Sequence, residues 1–151
     1  GTIITRYENA FAAIPLLVSF IPMLMDTGGN CGSQSSTLII RGIALGEIQF
    51  SDLFRVMFKE FRVSLIVGVA LALANGIRIL IMYKNAGLAL VIGLSLVATI
   101  VISKLIGCVL PLIAKKLHMD PAIMASPLIT TLVDTCSILI YFNIATQVFQ
   151  L

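Results

Sequence analysis

Two acids in this chain occupy matching apolar settings: Asp26 in "LMDTGG" and Asp134 in "LVDTCS". Paired carboxylates support two kinds of chemistry. They can share a proton as an acid/base dyad, as aspartyl proteases do, or they can hold a cation. The neighbours one helical turn away bear on the choice. Counting from Asp134 gives Thr130 one turn before, Ser137 one turn after and Tyr141 a turn further on. From Asp26 the same count gives Asn30, Ser33 and Thr37, ending at Arg41. Each set forms a polar stripe along one face of an apolar helix. Hydroxyl, amide and carboxylate oxygens suit a hard cation. Magnesium in particular keeps much of its water and is held through one or two carboxylates.

The elements that carry these stripes belong in a membrane. The chain has 151 residues, 59% of them hydrophobic and only 11% charged, with mean hydropathy +1.08. A soluble domain of this size carries about 25% charged residues. Asp26 is the one charge between Asn9 and Ile40; Ser64 to Tyr83 is apolar apart from Asn75 and Arg78; Ala86 to Ser103 is uncharged; and Pro121 to Leu151 holds only Asp134. Each run reaches or approaches the roughly 20 apolar residues that cross a bilayer, which predicts four spans in an all-α, polytopic bundle. A carboxylate in hydrocarbon costs roughly 2.5 to 3.5 kcal/mol on insertion scales, so both acids call for a partner or a wet cavity.

The net charge of +3 reports topology and does not call for nucleic acid. Arg41, Arg55, Lys59 and Arg62 lie between the first and second spans, and Lys115 and Lys116 between the third and fourth, with Lys104 just inside the span. Lys and Arg accumulate in cytoplasmic loops, so these two connections face the cytoplasm and both ends of the chain lie outside. Arg6, Arg78 and Lys84 are the only basic residues left for the other side. An outside start without a secretory signal predicts at least one further spanning helix before Gly1. Cys31, Cys108 and Cys136 show neither CxxC nor Cys/His spacing and read as buried small residues. His118 reads as a solvated loop residue.

Local signals divide the chain further. "FSDLFRVMFKEFR" (50–62) puts Phe50, Leu53, Phe54, Met57, Phe58 and Phe61 on one helical side and Asp52, Arg55, Lys59 and Arg62 on the other. It predicts an amphipathic anchor at the cytoplasmic interface, with Ser51 as N-cap. The third span opens at "NAG" (85–87), and Gly87, Gly93 and Gly107 permit close helix approach. The fourth opens with Asp120 as N-cap and Pro121 in the first turn, and Pro127 then kinks or restarts it. In the first span "DTGGN" predicts a helix break beside a lined pathway, since irregular backbone survives at membrane depth only there.

"FIPMLMDTGGNCGSQSSTLIIRGIALGEI" (20–48), with Gly28, Gly29, Asn30, Gly32 and Gln34 in a Gly-Gly-Asn-x-Gly-x-Gln pattern, resembles the second transmembrane helix and following loop of the MgtE family of magnesium channels. "DPAIMASPLITTLVDTCSILIYF" (120–142) resembles the family's last transmembrane helix, its Thr-Thr-Leu-x-Asp element being Thr130 to Asp134. The resemblance covers essentially the whole chain. It implies that residues 1–151 are a transmembrane pore domain, four visible spans of a five-helix unit, without the cytoplasmic sensor domains. It further implies a homodimer in a bacterial plasma membrane, with hydrated Mg2+ as cargo in a pore lined by residues 20–41 and 127–142. Asp134 then matches the pore acid that holds the ion. Thr130 and Asp26 match positions where backbone carbonyls approach its water shell, and Gly29 and Asn30 match the glycine break. Ser33 falls where some relatives have Asn, and Asp26 where some have Gly, so the role of Asp26 stays open. The chain is then not an enzyme. Intramembrane aspartyl proteases pair acids on neighbouring helices, but their Gly-x-Gly-Asp and Tyr-Asp signatures are absent, since Met25 and Val133 precede the two acids. A secondary transporter of divalent metals, coupled to H+ or Na+, is the other transport reading. The Leu-x-Asp-Thr echo between 24–27 and 132–135 would suit its internal repeats.

Overall fold

Four long helices follow the hydrophobic runs: α1 (Ile21–Ala44), α2 (Leu53–Tyr83), α3 (Ala86–Lys116) and α4 (Ser126–Phe149), with short 3-10 turns at Phe50–Asp52 and Pro121–Met124 leading into α2 and α4. The computed structural model describes residues 15, 17–124 and 126–149, so Arg6 and the start of the first hydrophobic run lie outside the described residues. No strand occurs among the described residues. The expected all-α membrane bundle is what the chain forms.

Among the described residues three helices are long and apolar enough to cross a bilayer: Phe50–Tyr83, Ala86–Lys116 and Pro127–Val148. The first of the four expected spans, α1, is long enough, its 24 residues extending about 36 Å at 1.5 Å per residue. Its "DTGGNCGSQSST" segment keeps it short of the apolarity that the other three reach. α1 can carry that polarity because it packs against both α3 and α4. α3 is the central helix, in contact with each of the others, whereas α2 lies against α3 and turns much of its apolar surface outward. Ile66 and Ile81 of α2 are among those outward side chains.

Helix ends show why the chain reverses where it does. Gly46 takes φ +75, a left-handed conformation that glycine adopts without Cβ strain, and ends α1. Lys84 ends α2 in the same region, and Asn85 then caps α3 by accepting a hydrogen bond from the Leu88 N–H at 3.1 Å. α3 closes at exposed His118 (φ 61), where the Met119 N–H reaches back to the Ala114 carbonyl at 2.8 Å. Two start signals resolve differently from expectation. Ser51 is not a cap; Gln49 caps the 3-10 turn, its N–H donating to Asp52 Oδ2 at 3.0 Å. Asp120 accepts from the Ala122 N–H at 3.0 Å but opens only a 3-10 turn, and the helix proper restarts at Ser126 with Pro127 in its first turn. Pro127 thus occupies the place where a missing N–H costs nothing.

The expected break at "DTGGN" is absent: α1 runs through Gly28 and Gly29 without interruption. Glycine is needed there for closeness, not for bending. A Cβ on Gly28 would sit 2.7 Å from Thr99 Cγ2 and 2.8 Å from Val133 Cγ1, and one on Gly32 would sit 2.8 Å from Ile129 Cγ2. On the facing helix, a Cβ on Gly107 would collide with the Gly32 carbonyl oxygen. Small residues therefore bring α1 and α3 nearly backbone to backbone and let Ile129 and Val133 of α4 seat against the α1 backbone. The two basic connections come together at one end of the bundle, where the Lys116 Nζ lies 4.4 Å from the Phe50 ring centroid.

Candidate functional site

Close packing of α1 against α4 leaves an open-sided cleft of about 410 Å3 between them. Pro22, Met25, Asp26, Gly29, Asn30 and Ser33 line it from α1, and Thr130 and Asp134 from α4. All six candidate residues named from the sequence (Asp26, Gly29, Asn30, Ser33, Thr130 and Asp134) therefore converge on one space. Helical phase explains the division of labour on α1. Gly28 and Gly32 meet α3 and α4, whereas Asp26, Gly29, Asn30 and Ser33 follow the adjacent stripe. Gly29 borders both surfaces: a Cβ there would lie 3.7 Å from Thr130 Cγ2, an ordinary contact distance.

The two acids differ in setting. Asp26 is exposed to the cleft opening, while Asp134 is half-buried. Asp134 Oδ1 is withdrawn from the surface and has no hydrogen-bond partner. An unsatisfied buried carboxylate oxygen is costly and calls for a proton, a water or a cation. Among the described residues there is no group of three or more His, Cys, Asp or Glu able to hold a bare metal ion. The donor set of the cleft is instead carboxylate, amide, hydroxyl and carbonyl oxygen, which suits an ion that retains its water.

The polar stripes extend less far than the turn count implied. Ser137 and Tyr141 share the helical phase of Asp134, but both are buried in the core. The Tyr141 hydroxyl donates to the Leu17 carbonyl at 2.6 Å, so the chain leading into α1 covers that part of the stripe. Thr37 and Arg41 are exposed beyond the other end of the cleft. The cysteines are free, with Cys31 and Cys108 buried.

A polar cluster that the sequence reading missed lies nearer the basic end. Glu60 Oε2 of α2 accepts a 2.8 Å hydrogen bond from Ser35 Oγ of α1 and stands 3.9 Å from Lys104 Nζ of α3. The charged side chains are only 12% and 13% exposed. Helical phase was the available signal. Glu60 falls off the stripe of Arg55, Lys59 and Arg62 and in phase with the inward Leu53, Met57 and Ser64.

Fold and cleft together define a helical membrane protein with an open-sided cleft between two helices that bears two acids, an amide and two hydroxyls, groups suited to a cation. The family model for MgtE, described as a divalent cation transporter, matches residues 21–144. The chain belongs to the MgtE family. It is 40% identical over 146 residues to the magnesium transporter MgtE of Bacillus subtilis, covering 97% of this chain and 32% of that protein. With the magnesium transporter MgtE of Thermus thermophilus it shares 36% identity over 146 residues, 96% of this chain and 32% of the other. The chain thus spans about a third of the length of the curated relatives it matches. Transport rather than peptide cleavage is the described role of the family, which sets the protease reading aside.

Proposed function

We propose that this chain is the membrane part of a magnesium transporter in which a hydrated Mg2+ passes along the α1–α4 cleft and is held at Asp134. The observation that carries this reading is the buried, unpartnered Oδ1 of Asp134 on the wall of a cleft that Asp26, Asn30, Ser33 and Thr130 also line. Asn30, Ser33, Thr130 and the backbone at Gly29 supply oxygens that accept hydrogen bonds from the ion's water, so no protein ligand has to replace it. Asp26, at the exposed rim, adds negative charge where ions enter. At 4 Å and an effective dielectric near 20, one carboxylate attracts a divalent ion by about 8 kcal/mol and a monovalent ion by about half that, before any loss of hydration. Contact through retained water favours the ion that keeps its shell most firmly, and leaves the attachment loose enough for release.

The cleft is open along one side, and in this proposal a second copy of the chain closes it, bringing two Asp134 carboxylates to one axis. That the Bacillus subtilis and Thermus thermophilus relatives are magnesium transporters supports magnesium as the cargo. The test is Mg2+ flux into proteoliposomes holding the full-length protein. Asp134→Asn keeps size and hydrogen-bonding capacity but removes the charge; flux is expected to fall at least about tenfold, the weight of 1.4 kcal/mol of lost attraction. Wild-type flux in a properly folded Asp134→Asn protein overturns the assignment.

A further inference from the structure

We infer that the first three turns of α2 form a docking surface for anionic phospholipid headgroups. α2 has 31 residues, about 46 Å at 1.5 Å per residue, against a hydrocarbon core of about 30 Å. One end must therefore project into the headgroup region. The end that projects is marked by charge: Arg55, Lys59 and Arg62 follow one another at helical spacing, beside Arg41 at the end of α1 and Lys115 and Lys116 at the end of α3. Basic residues gather at the cytoplasmic face, whose leaflet carries the anionic lipid.

The fold separates three faces on this segment. Leu53, Val56 and Met57 pack inward against Ile39, Ile43 and Leu112, and Glu60 points the same way toward Ser35 and Lys104. Phe54, Phe58 and Phe61 form a second stripe and remain outside, Phe54 at 81% and Phe58 at 62% exposure. The basic stripe runs directly alongside, with the Arg62 guanidinium 5.0 Å above the Phe58 ring. The sequence pattern treats all these phenylalanines as one apolar side; the structure turns half of that side outward. Exposed aromatic rings next to cations match the boundary between acyl chains and anionic headgroups. Asp52 offsets one charge through its 3.1 Å pair with Arg55, which leaves Lys59 and Arg62 to face phosphate.

Each such cation is worth about fivefold in preference for an anionic surface. The experiment places a photoreactive benzophenone side chain at position 58 of the full-length protein, reconstituted in equal parts phosphatidylglycerol and phosphatidylcholine. Mass spectrometry of the crosslinked peptide then identifies the adduct. A several-fold excess of phosphatidylglycerol adducts is expected, falling to parity when Arg55→Gln, Lys59→Gln and Arg62→Gln are combined. These side chains are exposed, so an unchanged thermal midpoint of the combined variant is also expected. Equal labelling of the two lipids in the parent overturns the inference, as does a preference that survives neutralisation. Adducts to polypeptide in place of lipid overturn it too, and would show the face covered by another part of the protein or a second copy.

Discussion

Lys104→Met would expose how α1 is held in place. Glu60 and Lys104 are 3.9 Å apart, beyond the range of a direct N–H···O bond, so their attraction is chiefly Coulombic. At an effective dielectric near 20 it amounts to about 4 kcal/mol. Both groups are largely withdrawn from solvent, so neither recovers full hydration when its partner is lost. Removing one member of a buried pair typically costs about 3 to 5 kcal/mol, most of it the penalty of the remaining charge. Here the Ser35 hydroxyl still bonds to Glu60 at 2.8 Å and softens that penalty. Lys104→Met is therefore expected to lose about 3 kcal/mol, and Glu60→Gln somewhat less, because a long lysine can reach toward the headgroups. The double variant Lys104→Met/Glu60→Gln leaves no charge behind and should lie within about 1 kcal/mol of the parent. Reversible unfolding in mixed micelles, read by circular dichroism, gives the three values. Strictly additive losses, or a Lys104→Met protein as stable as the parent, would refute the electrostatic clamp. Because Ser35 is on the helix that carries Asp26, Asn30 and Ser33, the destabilised single variant should also conduct Mg2+ more slowly.

Glycine substitutions separate packing from flexibility. Gly107→Ala must push the Gly32 backbone away and should cost about 1 to 3 kcal/mol, whereas Gly76→Ala meets nothing within 4 Å and should be neutral or stabilising by up to about 1 kcal/mol. Thermal midpoints in detergent compare the two, and equal effects would contradict the close α1–α3 approach. Tyr141→Phe removes the hydroxyl bound to the Leu17 carbonyl and should lose about 1 kcal/mol by the same assay, with no change in ion preference. Asp26→Asn, at the exposed rim, should lower Mg2+ flux only severalfold and mainly at low ionic strength, where exposed charge is least screened. A loss as complete as that expected for Asp134→Asn would move the principal ion site to Asp26. Flux through the wild-type protein should persist without a proton or sodium gradient; strict dependence on either would favour coupled transport.

Membrane residence, the approximate helix limits and the acids of interest are local properties, and the chain states them directly. A run such as Ala86 to Ser103 is apolar whatever lies beside it, and the Asn85 cap is satisfied within its own first turn. The cleft stripe was legible for the same reason. Asp26, Asn30 and Ser33 share a phase on any helix, as do Thr130 and Asp134. What faces each stripe is not a local property. Ser137 and Tyr141 continue the Asp134 phase yet are buried, and the Tyr141 hydroxyl is taken by the Leu17 carbonyl, 124 positions away. Gly28 and Gly29 read as a break, since glycine weakens an isolated helix; in the bundle the helix runs on unbroken, and the missing side chains of Gly28 and Gly32 let α3 and α4 pack close against it. Glu60 and Lys104 are 44 positions apart, and no periodicity links them. Which residues meet across helices is decided by the packing of whole faces, and only the folded bundle supplies that information.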